Sequence, residues 1–226
     1  NVDVRHKDGT VQSMSLCRIT NNWTLVPNTS ASLSAETGVK TADIGRPKSD
    51  FTLIQFLPKI QKMDQIVRQA AECGITEVYP VKGAFSNVHD CTERVDRWER
   101  IVREARQQSG SPVPTVIHPA AGIEDVLLSI NKEDGIKTYK IVLTEVSSHS
   151  CSVYSILGSV IEPVRVVIAV GCEGGFSSEE MVLLEKEGFI RLHLKTNVLR
   201  VETAALYGTA VIQNAIMENK AWRALE

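Results

Sequence analysis

No two of the five cysteines in this chain form a C-x-x-C pair; Cys17, Cys73, Cys91, Cys151 and Cys172 stand far apart. That spacing supports neither a zinc site nor a disulfide framework, and an odd number of scattered thiols fits a reducing, cytoplasmic setting. No apolar run is long enough to span a bilayer, and the opening residues carry no signal-peptide pattern. Positive charge is not in excess either. The chain has 25 Lys and Arg against 27 Asp and Glu, a formal charge of −2, and residues 119–226 lean further to the acidic side. Any contact with nucleic acid must therefore come from a local patch, not from a global basic field. The five histidines (His6, His89, His118, His149 and His193) show no metal-ligand spacing, and neither a G-x-S-x-G elbow nor an H-E-x-x-H pair occurs. Classical hydrolase and zinc chemistry are thus unsupported, and no metal is expected.

What is present is a chain of 226 residues, 43% apolar, enough for one large domain or two modest ones. Residues 1–50 differ from the rest. Val11 to Ile19 and Trp23 to Val26 alternate in the manner of strands, broken by Asp8-Gly9, Asn21-Asn22 and Pro27-Asn28. Asn28 to Asp50, rich in Ser, Thr and Ala, reads as loop or linker. The chain opens at Asn1 in a strand-like stretch, which suggests that the first strand of this region is missing. From Phe51 strands and helices alternate. Strands are predicted at Phe51–Leu57, Glu77–Val81, Val113–Ile117, Lys140–Thr144 and Arg165–Val170. Helices are predicted from Met63 to Cys73, over Glu93–Ser109, Ile123–Ile130, Ser152–Gly158, Ser178–Glu187 and Thr203–Asn219. Repeated units of this kind predict an α/β fold with a mostly parallel sheet covered by helices on both faces.

Two segments near the C-terminus carry most of the chemistry. In the first, the apolar strand Val166–Val170 runs into Gly171-Cys172-Glu173-Gly174-Gly175-Phe176-Ser177. The glycines allow close backbone approach and positive φ. Ser177 can cap the next helix with Glu180 as its reciprocal partner. No Gly-Lys-Ser/Thr follows, so this is not a P-loop, nor is it G-x-G-x-x-G. A carboxylate at Glu173 would also repel a pyrophosphate at that helix N-terminus. In the second segment, Leu194-Lys195-Thr196-Asn197-Val198-Leu199-Arg200-Val201-Glu202-Thr203 leads into a very apolar helix. Each segment alone fits a plain strand-to-helix turn. Together they suggest one pocket at the carboxyl ends of strands, where open α/β sheets bind ligands.

Five arginines (Arg94, Arg97, Arg100, Arg103 and Arg106) recur every third residue in the predicted helix Glu93–Ser109. Each step of three slips back by about 60°, so they spiral around the helix instead of forming a stripe. With Glu93, Asp96, Glu99 and Glu104 interleaved, a solvated, salt-bridged helix is the expectation.

The glycine segment and the Leu194–Ala204 segment together resemble the signature of the bacterial 16S ribosomal RNA uridine-N3 methyltransferases of the SPOUT superfamily. Leu57-Pro58-Lys59 with Met63-Asp64, Arg97-Trp98, Glu104-Ala105, Gln108-Ser109 and Val113-Pro114 extend the likeness, which covers about residues 51–219. Cys172 stands where that family has proline, Lys195 where it has glycine, Asn197 where it has arginine, and Ser111 where an arginine is common. The resemblance implies a trefoil-knotted SPOUT methyltransferase domain over 51–226 and a small PUA-like RNA-binding β-barrel, incomplete at its start, over 1–50. It also implies a homodimer, 16S ribosomal RNA in the small subunit as partner, and S-adenosylmethionine as cofactor.

On the same resemblance, Leu143, Thr144, Gly171, Glu173, Gly174, Gly175, Leu194, Val198, Leu199, Arg200 and Thr203 are the expected cofactor contacts. Lys59, Lys195, Asn197 and Arg106 are the expected RNA contacts. Methylation at uracil N3 requires removal of a proton, for which Glu202 or Glu173 is the candidate acceptor. Arg200 is the candidate cation for charge developing on the flanking carbonyls. Two other functions fit the same residues: ribose 2′-O-methylation by another SPOUT enzyme, and an RNA-binding protein of the same fold without catalysis.

Overall fold

The computed structural model describes residues 2–5, 11–19, 22–27, 49–86, 94–131, 135–146, 148–160 and 163–223; the first three stretches and 219–223 are described as backbone only. The chain divides into two compact units, Asn1–Pro47 and Lys48–Glu226. The segment 28–48, expected to be a linker, lies outside the described residues.

The described residues of the first unit form three strands, β1 (Val2–Arg5), β2 (Val11–Ile19) and β3 (Asn22–Pro27), in one antiparallel sheet ordered β1-β2-β3. Val2 pairs with Met14, and Ile19 pairs with Asn22. This is the meander that the alternation of Val11–Ile19 and the Asn21-Asn22 break point to.

The second unit is built on six parallel strands: β4 (Asp50–Phe56), β5 (Glu77–Val81), β6 (Val116–Ile117), β7 (Thr138–Leu143), β8 (Arg165–Val170) and β9 (Ile190–Leu192). Their order is β6-β5-β4-β8-β7-β9. The chain moves outward from β4 to β6, then crosses back to β7, so the direction of winding switches between β4 and β8. Every residue of β8 is buried, which is why, after Arg165, it reads as a continuous apolar run from Val166 to Val170 instead of an alternating one. Val166, Ile168 and Val170 face one layer, and Val167 and Ala169 the other.

Helices α1 (Ile60–Glu72), α2 (Val95–Ser109) and α6 (Val201–Arg223) pack over the first face through Met63, Ile66, Trp98, Ile101, Ile212 and Ile216. Helices α3 (Ile123–Ile130) and α5 (Ser178–Lys186) cover the other through Val126, Leu127, Ile130 and Leu184. The short α4 (Val153–Leu157) buries Leu157 in the first layer.

Most boundaries shift by one to four residues, β7 for example running over Thr138–Leu143 and α1 starting at Ile60, and three of the differences bear on the site or the packing around it. The strand predicted over Val113–Ile117 shrinks to Val116–Ile117. Pro112 and Pro114 have no N–H for a ladder, and the Thr115 hydroxyl instead donates to the Ile75 carbonyl at 2.7 Å. Helix α6 begins at Val201, two residues early, because Val201 is buried and the Ala204 N–H already bonds the Arg200 carbonyl at 2.8 Å. Glu202 therefore sits inside the first turn. Finally, α2 begins at Val95; Glu93 lies outside the described residues.

The Arg-Trp pair on α2 is structural. The Trp98 indole N–H donates to Asp64 Oδ1 at 3.0 Å, and Arg97 donates to Asp64 Oδ2 through Nε (3.0 Å) and Nη2 (2.8 Å). One carboxylate on α1 thus takes three donors from α2 and fixes the two helices together. Arg106, expected to contact RNA, is half-buried on α2 with its Nε shielded and without a hydrogen-bond partner among the described residues.

Candidate active site

The loops that follow β7, β8 and β9 meet around one cleft of about 760 Å³. Those strands are neighbours in the sheet, so parallel pairing brings their carboxyl ends to one edge. The volume lies within the range of ordinary small-molecule sites.

After β8 the backbone folds into a tight turn. The Gly175 N–H donates to the Cys172 carbonyl at 3.0 Å, and Gly175 has φ of +74°. A Cβ on Gly171 would lie 2.9 Å from backbone carbons of Gly175, so only glycine fits there. Positive φ was expected of Gly174 as well, but that residue is not in the left-handed region; it serves instead for close approach to a neighbouring side chain. Beneath the turn, the buried Gln55 amide nitrogen donates to the carbonyls of Phe56 (2.8 Å), Val170 (3.3 Å) and Gly171 (3.2 Å). The expected capping box forms: Ser177 Oγ accepts from the Glu180 N–H (3.2 Å) and Glu180 Oε2 from the Ser177 N–H (2.7 Å). Cys172 is buried in the turn, which pushes its thiol pKa up.

The loops after β7 and β9 are tied to each other. The Thr144 N–H donates to the Leu192 carbonyl at 3.0 Å, and His193 Nδ1 lies 3.2 Å from the Thr144 carbonyl. Leu143 and Thr144 enter the cleft from one side, and Leu194, Asn197, Val198, Leu199 and Arg200 from another. Gly171, Glu173, Gly174 and Gly175 form a third wall. Thr203 is exposed and lies outside the lining, as do Lys59, Lys195 and Arg106.

Lys62, one turn into α1, organises the carboxylates. Its ammonium lies 3.2 Å from Glu173 Oε1 and 3.6 Å from Glu202 Oε2. Glu173 Oε1 also accepts from the Lys59 backbone N–H at 3.2 Å. Burial alone would raise the Glu173 pKa. The backbone donors and Lys62 outweigh it, so the carboxyl is held below its ordinary value. Glu202 is different. Its Oε2 is shielded from solvent and has no hydrogen-bond partner among the described residues. Lys59, expected to contact RNA, contributes its backbone N–H here, and Lys62, to which the sequence assigned no role, contributes the charge. The signal was its spacing, since residues three apart share a helix face.

The sequence model of one family, described as an RNA methyltransferase domain, matches residues 46–213. The chain belongs to this family. It is 30% identical over 178 residues to the ribosomal RNA small subunit methyltransferase E of Aquifex aeolicus, covering 74% of this chain and 70% of that protein. It is likewise 30% identical over 170 residues to the protein of the same name from a Synechocystis strain, covering 74% of this chain but 54%, about half, of that one. Among solved structures, the Legionella pneumophila protein Lpg2936, in complex with the bound cofactor SAM, superposes with a TM-score of 0.65 at 25% identity, over 74% of this chain and 66% of that one. The Neisseria gonorrhoeae ribosomal RNA small subunit methyltransferase E, solved with S-adenosyl methionine, shares the fold with a TM-score of 0.66 at 23% identity, over 91% and 79%.

The described residues contain no cluster of His, Cys, Asp and Glu able to hold a metal ion. No described helix is long and apolar enough to cross a membrane. Cys73, Cys151 and Cys172 are free thiols.

Proposed function

We propose that this chain transfers a methyl group from S-adenosylmethionine to N3 of a uridine in 16S ribosomal RNA, on the small ribosomal subunit. The observation that carries this reading is the convergence of the glycine turn and the Val198–Val201 segment at one cleft; Lys62 lines that cleft and joins Glu173 to Glu202, which stands just outside the lining. The curated relatives named above supply the RNA.

The residues present suit S-adenosylmethionine. Three glycines in the turn leave backbone in the cleft wall, and Leu143, Leu194, Val198 and Leu199 offer apolar surface for an adenine. Carboxylates nearby favour a positively charged sulfur. The bound cofactor supplies an electrophilic methyl group on that sulfur. Glu202, whose shielded Oε2 faces the Lys62 ammonium at 3.6 Å without a hydrogen bond, would accept the N3 proton when N3 is methylated. Arg200 donates to the uracil carbonyl oxygens as they gain negative charge. Lys62 holds the two carboxylates in position. Because N3 is hidden in a base pair, the target is unpaired or extruded. The same reading includes a trefoil-knotted path through the site, a PUA-like RNA-binding role for the N-terminal unit, a homodimer, and action in the cytoplasm.

The test is methylation of purified bacterial small subunits and of naked RNA, followed by nucleoside mass spectrometry. A methylated base fragment at uridine is expected, and methyl on the ribose fragment would overturn the N3 assignment. Gly171→Ala provides a second test, of the cofactor site. Its Cβ collides with backbone and not with a movable side chain, at a cost of about 1–3 kcal/mol. Calorimetry is expected to show S-adenosylmethionine binding weakened by ~10–100-fold; unchanged affinity would mean that the turn does not hold the cofactor.

A further inference from the structure

The segment 82–86, which leaves β5, is held to the glycine turn by one side chain. Glu180 is only 9% exposed, yet it carries no cation among the described residues; its carboxylate is spent on backbone. Oε1 accepts from the Ala84 N–H at 2.6 Å while Oε2 accepts from Ser177. The Gly83 N–H donates to Ser86 Oγ at 2.9 Å, and the Ser86 N–H returns to the Gly83 carbonyl at 3.1 Å. Ser86 is buried, so both sides of the turn are anchored.

Between these anchors stands Phe85, 49% exposed. Its root rests on Gly174: a Cβ on that glycine would come within 2.9 Å of Phe85 Cβ and 3.1 Å of Cγ. Gly174 is part of the cleft wall, whereas Phe85 is not. The protein thus presents a half-exposed aromatic ring, on backbone fixed by three hydrogen bonds, at the lip of the cleft and not inside it. Apolar burial does not explain its placement, because about half its surface remains in water.

We propose that Phe85 is a stacking platform for the nucleobase adjacent to the target uridine. The inference rests on the reading that the substrate is RNA with an unpaired target. A ring inside the cleft would meet the target itself; a ring on its rim meets the neighbour. Single-stranded RNA presents a π-face at every base, and aromatic platforms recognise it with little demand on sequence. Holding the loop rigid reduces the ordering required on binding.

The experiment compares wild type with Phe85→Ala, Phe85→Leu and Phe85→Trp. Binding to a uridine-containing RNA strand is followed by fluorescence anisotropy, and S-adenosylmethionine binding by calorimetry. Phe85→Ala and Phe85→Leu are expected to weaken RNA binding by roughly tenfold or more, with cofactor affinity and oligomeric state unchanged. Phe85→Trp is expected to restore it. Removing the base on one side of the target uridine should weaken binding to wild type but not further weaken binding to Phe85→Ala. Equal RNA affinity across all four proteins overturns the proposal. So does a leucine variant that binds as wild type does, or an alanine variant that loses cofactor binding or changes oligomeric state, either of which makes Phe85 a packing residue. The binding assay needs no turnover, so wild type that binds RNA through Phe85 but methylates nothing would refute the enzymatic reading and leave this one standing.

Discussion

Glu202→Gln is expected to lower kcat by about 10²–10⁴-fold, the usual contribution of a positioned general base. The two candidate carboxylates are no longer equivalent once their surroundings are known. Glu173 already accepts from the Lys59 N–H and pairs with Lys62, and its pKa is held down; a base so well satisfied has little drive to take a proton. Glu202 faces the same ammonium at a longer 3.6 Å, through a shielded Oε2 that takes no hydrogen bond among the described residues. Glutamine preserves the shape and cannot accept the proton, so S-adenosylmethionine binding should persist while single-turnover methylation collapses. Arg200→Ala tests the other half of the assignment. Normal single-turnover rates in both variants would remove the proton acceptor and the cation from the mechanism. Lys62→Met is a useful companion, because losing the shared ammonium leaves two nearby carboxylates uncompensated and should shift the pH–rate profile, which a purely structural lysine would not do.

The second large effect is on stability. Trp98→Ala is expected to cost about 3–5 kcal/mol, the range for truncating a buried large aromatic. Trp98 is 0% exposed, packs in the layer formed by α1, α2 and α6, and donates its indole N–H to Asp64. For a chain of this size each kcal/mol lowers Tm by roughly 2–4 °C, so thermal unfolding should shift down by about 6–20 °C. Trp98→Phe retains most of the volume and loses the hydrogen bond, and should fall between wild type and alanine. An alanine variant with unchanged Tm would show that Trp98 does not secure these two helices. The packing matters to the site because the helix that Trp98 secures is the one carrying Lys62.

Much of this was legible in the sequence because it depends on local rules. β8 could be read from Val166 to Val170, since a strand buried on both faces has no polar positions to interrupt it. The Ser177–Glu180 box and the left-handed glycines Gly74 and Gly188 follow from backbone groups left over at helix ends. The convergence of the two C-terminal segments followed from where parallel strands end. What could not be read depends on side chains brought together from distant elements. Lys62 and Glu173 are far apart in the chain, and only the β4–β8 pairing makes them neighbours. Arg106 looked available on a charged helix; a spiral of arginines must turn some inward, and packing decides which. Phe85 carried no periodic signal, because its position comes from a turn and from the missing side chain of Gly174.

Glu180 joins two stretches of backbone that belong to different crossovers of the sheet. Neither stretch can open without breaking the same anchor, so heat or denaturant should release them as one cooperative unit. A substitution there would loosen the cleft wall and the aromatic rim together, and on the proposed reading its kinetic consequences would not separate into one part for the methyl donor and another for the acceptor.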